Sequence, residues 1–308
     1  MAFVSILGHA ETEEIKNNKQ PDFFVDLNLD QVVDRIQKCS PDYSVKEFFY
    51  AFPAFEDVKY RQEVYRDIRR SSLYNARLLF SADMRRAARM EVPPTFSGEP
   101  IQGACWQLES VYYYCKAIWE LRKALETGIE KEEITAQGWK ELLGFLEEMC
   151  KDASFAKMQE EAFRIWEMLT GTKFTLEING NKVRISPKSQ TGTYEDFLKE
   201  CFEKYEPVQK GTMRSPFNGD LFLSRFERRM LQAFFTKYPK LEDEITLFAE
   251  KYQEYKQTPV LRLEREVQFY LAYYEFQKEW EAQGAVFSTP SMNERKAMEA
   301  LGVYDLAL

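Results

Sequence analysis

The chain has 308 residues, 44% of them hydrophobic and 30% charged, a balance that excludes wholesale disorder and fits one large domain or two ordinary ones. A net charge of −8 counts against a broad phosphate-binding surface, and no run of about 18 apolar residues occurs that would span a membrane. Only 13 Gly and 12 Pro serve the whole length, while 24 Phe and 17 Tyr supply large rings, so long helices with few connections and a ring-rich core are expected.

Residues 1–20 read as a short apolar strand or anchor followed by a polar linker, without the basic region of a secretory signal. From residue 21, Leu27, Leu29, Val32, Val33 and Ile36 recur at helical spacing, with Asp30 as a candidate cap. Phe48 to Phe55 reads as an apolar loop around Pro53, leading into a helix that buries Val58, Val64, Tyr65 and Ile68.

Ser71 to Met90 predicts another helix, with Tyr74, Leu78 and Leu79 inward and Arg85, Arg86 and Arg89 at its negative end. Pro93 and Pro94 stop it. Ile101 to Glu126 predicts a long helix with Leu108, Val111, Tyr112, Cys115, Ile118, Trp119 and Leu125 on one stripe, and Gly128 just past its end. Two more helices are expected over 134–151 and 154–169.

The one β signal is KFTLEI-NG-NKVRIS, where an Asn-Gly pair separates two alternating runs. A turn at Asn179 and Gly180 sets Ile178 opposite Asn181, Leu176 opposite Val183 and Phe174 opposite Ile185, with Glu177 meeting Lys182 and Thr175 meeting Arg184. Helix is expected again over 193–205, then from Asp220 to Lys237 with Phe222, Phe226, Met230, Ala233 and Phe234 buried. After Pro239 comes LEDEITLFAEKYQEY, and a last helix spans Val260 to Glu281 with Leu263, Val267, Tyr270, Leu271 and Tyr274 on one side. The apolar end VYDLAL implies a continuation beyond Leu308.

The expected fold class is mainly α: a long-helix core and lever bundle with one small β-hairpin tip. It divides into a strand or linker (1–20), a first helical part (21–130), lever helices with the hairpin near 172–187 (131–260), and a return helix (261–308).

Catalytic chemistry finds little to work with. His9 is the single histidine and sits among linker acids, so a two-histidine metal site is excluded, and no GxxxxGK[ST] or GxGxxG phosphate motif occurs. Cys39, Cys105, Cys115, Cys150 and Cys201 form no CxxC pair and read as reduced thiols, which fits a cytoplasmic chain. Asp22, Asp26 and Asp30 read as a solvated face. The runs Tyr112–Tyr114 and Tyr273–Tyr274 are weighed as base-stacking platforms and as helix packing, and packing is favoured. The groups Arg85, Arg86, Arg89 and Arg225, Arg228, Arg229 are weighed as phosphate contacts against pairing with nearby acids. Lys173, Lys182, Arg184 and Lys188 make the hairpin basic and are the candidate DNA-binding residues.

Taken in order, DFFVDLNLDQVVDRI, FFYAFPAFEDVKYRQEVYRDI, the ING-NKVRI hairpin, LEREVQFYLAYYEF and VYDLAL resemble a bacterial branch of the MutS family of DNA mismatch-repair-like ATPases. The similarity is distributed from about residue 20 to the end. It implies the core and lever region of a clamp on duplex or branched DNA, homodimeric through its parent and driven by a motor domain beyond Leu308. ATP and Mg would belong to that domain, and the 308 residues carry no Walker motif, cofactor or catalytic residue of their own. The resemblance departs in having no room before residue 20 for the mismatch-reading domain. The rival expectation is a helical protein-interaction module with no direct DNA contact, which the negative charge favours.

Overall fold

The computed structural model describes residues 5–8, 19–50, 53–69, 71–91, 98–179, 182–187, 225–293, 299–303 and 306. Eleven helices and one two-stranded antiparallel sheet are present among them, so the chain is mainly α with a single small hairpin. In chain order these are α1 (Phe23–Asp26), α2 (Leu29–Lys38), α3 (Glu47–Tyr50), α4 (Phe55–Ile68), α5 (Ser71–Arg89), α6 (Pro100–Glu130), α7 (Gln137–Lys151) and α8 (Ala153–Gly171). The hairpin β1 (Phe174–Asn179) and β2 (Lys182–Pro187) follows, then α9 (Arg225–Lys237), α10 (Pro239–Lys251) and α11 (Thr258–Glu281). None is long and apolar enough to cross a membrane, among the described residues.

The chain divides into two compact units. The first comprises 1–81, 119–149 and 256–308, the second 82–118 and 150–255, so α5 and α6 each supply residues to both.

In the first unit the core gathers Val33 and Ile36 of α2, Val64 and Ile68 of α4, Trp139, Leu142 and Leu146 of α7, and Leu263, Val267 and Tyr270 of α11. Helix α7 lies close on α4. The Trp139 indole donates to the Val64 carbonyl at 3.1 Å. A Cβ on Gly138 would meet Val64 Cγ2 at 2.7 Å and Tyr60 Cζ at 2.8 Å, so glycine stands where the two helices approach. Segment 5–8 is not a strand but a turn whose Ile6 and Leu7 are fully buried, which makes it the anchor end of the expectation.

Four helix readings change. Asp30 lies inside the first turn of α2, and the preceding position is Asn28 at φ 54°. In α5 the buried stripe is Leu73, Arg77, Phe80, Met84 and Ala87, whereas Leu78 and Leu79 are 37% and 56% exposed. The sequence pattern misled because an arginine occupies a core position, which rotates the apparent apolar stripe by about one residue, or roughly 100°. Gly128 does not follow α6 but lies within it. A Cβ there would come 2.5 Å from Ile134 Cδ1, and the left-handed residue of the turn is Glu132 at φ 57°. Trp119, read as inward, is 37% exposed.

In the second unit Asp152 caps α8 by accepting the Ser154 and Phe155 amides, each at 3.0 Å. The tyrosine run of α6 packs as expected. Tyr112 stacks on Trp166 at 4.8 Å, and buried Tyr114 meets Tyr255 edge-on at 5.1 Å. In the first unit Tyr273 and Tyr274 likewise pack against Tyr65 at 5.2 and 6.5 Å.

The hairpin is where expected but its register is shifted by two. Phe174 lies opposite Pro187, Leu176 opposite Ile185, Ile178 opposite Val183 and Glu177 opposite Arg184, so the two-residue loop is 180–181 rather than 179–180. The Asn-Gly-Asn sequence allows both loops. The adopted one gives Ile178 an apolar partner instead of Asn181 and matches all three pairs of that face. An even shift leaves each residue on its expected face.

Candidate nucleic-acid interface

The hairpin does not stand as a bare tip. Phe174 and Ile185 are buried, and the sheet packs through β2 on α9. Phe174 meets Phe234 of α9 edge-on at 5.3 Å, and the Tyr238 hydroxyl just after α9 donates to the Lys173 carbonyl at 3.4 Å. Helix α9 turns Met230, Leu231, Phe234 and Phe235 inward. That i, i+1, i+4, i+5 spacing leaves Arg228, Arg229, Gln232 and Thr236 exposed.

Phe174 and Ile185 are buried on one face of the hairpin, and the opposite face carries Arg184. Arg184 is exposed on β2, and Lys173 is exposed at the foot of β1. The register sets Glu177 opposite Arg184, not opposite Lys182. Lys182 lies on the same face of the sheet as Arg184, two residues earlier in β2; its side chain and the whole of Lys188 lie outside the described residues. Arg225 begins α9, while Arg228 and Arg229 follow on its exposed side. The packing of β2 on α9 therefore makes neighbours of two elements that each carry exposed cations and lie about 40 residues apart in sequence.

At the end of α8, the start of α10 and the Tyr238 turn enclose an open groove of about 780 Å³, lined by Glu167, Thr172, Lys237, Tyr238, Lys240 and Glu244 among others. Lys237 and Lys240 are exposed there. Glu244 is already engaged by Arg164 at 2.8 Å, which tips the local balance of the groove toward the cations.

The group Arg85, Arg86 and Arg89 reads differently. Arg86 Nη2 lies 2.8 Å from the fully buried carboxylate of Glu109, and its guanidinium sits 4.0 Å above the Tyr113 ring. Burial raises the Glu109 pKa, and Arg86 opposes that shift. Arg86 is thus committed to a structural pair. Arg89 is exposed, and Arg85 is half-buried and already has an interaction partner.

Of the remaining candidates, His9 and Cys201 lie outside the described residues. Cys39, Cys105, Cys115 and Cys150 are free thiols, and burial foremost, with Glu279 and Glu275 adding to it, pushes the Cys39 pKa up to about 11. Asp22 and Asp26 are exposed and Asp30 half-buried. They do not share one helix face, because the chain breaks helix at Leu27 and Asn28 between α1 and α2. Among the described residues no three His, Cys, Asp or Glu side chains converge in a metal-binding group.

The sequence pattern missed a set of buried polar groups in the first unit. Arg77 is 0% exposed and has no acidic partner among the described residues. Its Nε and Nη2 donate at 3.3 Å to the Leu73 and Ile68 carbonyls, and Nη1 finds no acceptor. Its guanidinium lies 6.0 Å from the Trp139 ring, and burial pushes its pKa down to about 9. Asp67, Glu264, Glu266, Gln268 and Gln277 are buried nearby in sequence or on α11. No signal in a single sequence separates such residues from a solvated helix face.

No family model matches the chain, and neither the curated proteins nor the solved structures contain a significant match to it.

Proposed function

We propose that the chain is the core and lever region of a MutS-like DNA clamp, and that it contacts duplex or branched DNA through the hairpin and α9. The observation that carries the reading is the packing of β2 on α9, which buries Phe174 and Ile185, while Lys173, Arg184, Arg228 and Arg229 are exposed on the adjoining elements. Cations on a two-stranded ribbon and an adjoining helix suit phosphate contact, which positions a protein on nucleic acid without reading its sequence. Long helices support the mechanical half of the reading: the 31 residues of α6 extend about 46 Å at 1.5 Å per residue. In this reading ATP and Mg are bound and turned over by a motor domain of the parent, in a homodimer.

Fluorescence anisotropy with labelled linear and branched duplexes across a salt series tests it. Each lost phosphate contact reduces the slope of log K against log salt by about 0.9. The double variant Arg184→Glu, Arg228→Glu is expected to flatten the slope by about 2. Affinity independent of salt, or an unchanged slope in that variant, counts against the DNA reading.

The net charge of −8 favours a second reading, a helical protein-interaction module with no direct DNA contact. The same titration separates them, since that reading predicts no saturable DNA binding at low salt.

A further inference from the structure

Segment 5–8 is held in the first unit in the way a protein holds a bound peptide. The Tyr60 hydroxyl donates to the Ser5 carbonyl at 3.0 Å, and the Tyr270 hydroxyl to the Ile6 carbonyl at 2.7 Å. Glu266 accepts the Ile6 amide at 2.8 Å and the Ser5 hydroxyl at 2.9 Å. Arg61 Nε donates to the Leu7 carbonyl at 2.5 Å, and the Leu7 amide donates to Ser5 Oγ at 3.1 Å. Every one of these bonds runs to a side chain, and all but the last come from α4 or α11.

The slot also selects. Ile6 and Leu7 are fully buried, which contributes roughly 2 kcal/mol of transfer free energy each. Gly8 has φ +128°, and a Cβ there would lie 2.4 Å from Asp57 Oδ1, so only glycine fits. Glu266 reads the Ser5 hydroxyl. The ligand pattern is hydroxyl, branched apolar, apolar, glycine.

We propose that the slot between α4 and α11 is a recognition site for a Ser-Ile-Leu-Gly peptide in the turn conformation of residues 5–8, and that its alternative occupant is the 5–8 segment of a second copy of this chain. The fit of this peptide is on view in the chain itself, and a second copy carries the identical ligand. Residues 9–20, HAETEEIKNNKQ, tie the segment to α1 with a polar sequence whose 12 residues reach up to about 40 Å when extended. Exchange makes the same contacts in trans as in cis. Dilution therefore favours the monomer, because the cis contact is intramolecular and does not depend on chain concentration, and blocking the cis arrangement releases the dimer. This inference stands on the first unit alone and is independent of the nucleic-acid reading.

Two complementary variants test it. Ile6→Glu disables the segment and leaves the slot; Arg61→Ala with Glu266→Ala disables the slot and leaves the segment. Light scattering after gel filtration is expected to give a monomer for each alone and a species of twice the mass for the mixture. A mixture that stays at monomer mass overturns the second-copy assignment. A labelled peptide of residues 3–10 is expected to bind the Ile6→Glu chain saturably, with the Ile6→Glu peptide weaker by about tenfold or more, since burying an unpaired charge exceeds 1.4 kcal/mol. Equal binding of the two peptides, or none, overturns the recognition site. Should circular dichroism show the Ile6→Glu chain unfolded, the same peptide is added to a chain cut after folding at a protease site inserted within residues 11–18. There the labelled peptide must exchange into the slot, and failure to exchange overturns the proposal equally.

Discussion

Asp67 in α4 accepts the backbone amide of Ala136 at 2.7 Å, and that of Thr135 at the same distance, across nearly 70 residues of sequence. The carboxylate is fully buried and satisfies two N–H groups at the entry to α7, a capping role normally served by a residue of the helix's own chain segment. It explains why an aspartate stands on the inner face of α4 beside Val64 and Ile68. Replacement by alanine strands both amides, and a loss of about 2–4 kcal/mol is expected in urea unfolding. A loss below about 0.5 kcal/mol would mean that water replaces the carboxylate.

Glycine has opposite meanings at two positions of α7. At Gly138 an added Cβ collides with Val64 and Tyr60, while at Gly144 nothing lies within 4 Å. Gly144→Ala is expected to stabilise by about 0.5–1 kcal/mol through helix propensity. Gly138→Ala is expected to destabilise by about 1–3 kcal/mol in spite of the same propensity gain, because the helices must separate. Thermal unfolding of the two variants side by side decides it.

Among the described residues Arg77 is a buried charge without an acid to pair with, so its guanidinium is a cost that the stem and ring contacts offset. Arg77→Met keeps most of the stem volume and removes the charge, and is expected to unfold at higher urea by about 1–3 kcal/mol. Arg77→Ala opens a cavity and is expected to lose about 2–4 kcal/mol. Equal losses in both variants would show that the guanidinium itself is needed.

Burial holds the Glu266 pKa at about 7, against the hydrogen bonds from Ser5 and Ile6 and the attraction of Arg262. Tyr60, Arg61 and Tyr270 face the same carboxylate. A folded-state pKa above the unfolded one means that the native state holds the proton more tightly. The stabilisation is complete below the unfolded pKa of about 4.3 and is lost as pH rises through 7. The stability of the parent chain relative to Glu266→Gln is therefore expected to fall by on the order of 3 kcal/mol between pH 4 and pH 8. A difference that stays level or rises over that range contradicts the assignment.

Much of the fold was legible because it is written in local patterns. The extents of α6, α8 and α11, and the hairpin itself, follow from apolar periodicity and an Asn-Gly-Asn turn, and all appear. Errors arose where a tertiary contact overrides the pattern. The stripe of α5 was misplaced because Arg77 occupies a core position, and Gly128 was read as a stop because its close approach to Ile134 is invisible in one dimension. The register slipped by two because both candidate loops satisfy the same alternation. The candidate interface was half legible. The cations of the hairpin and of α9 could each be seen, but that their two elements are neighbours depends on Phe174 packing on Phe234, some 60 residues away. The slot for Ser5 to Gly8 had no sequence signal, since its walls are ordinary helix residues of α4 and α11.

Hydrogen exchange read by mass spectrometry, on the chain with and without a saturating linear duplex, tests the central claim most directly. The account predicts slowed exchange over 173–187 and 225–240, with little change in α4, α7 and α11. Exchange unaltered in the hairpin and α9, or protection confined to the first unit, would contradict it.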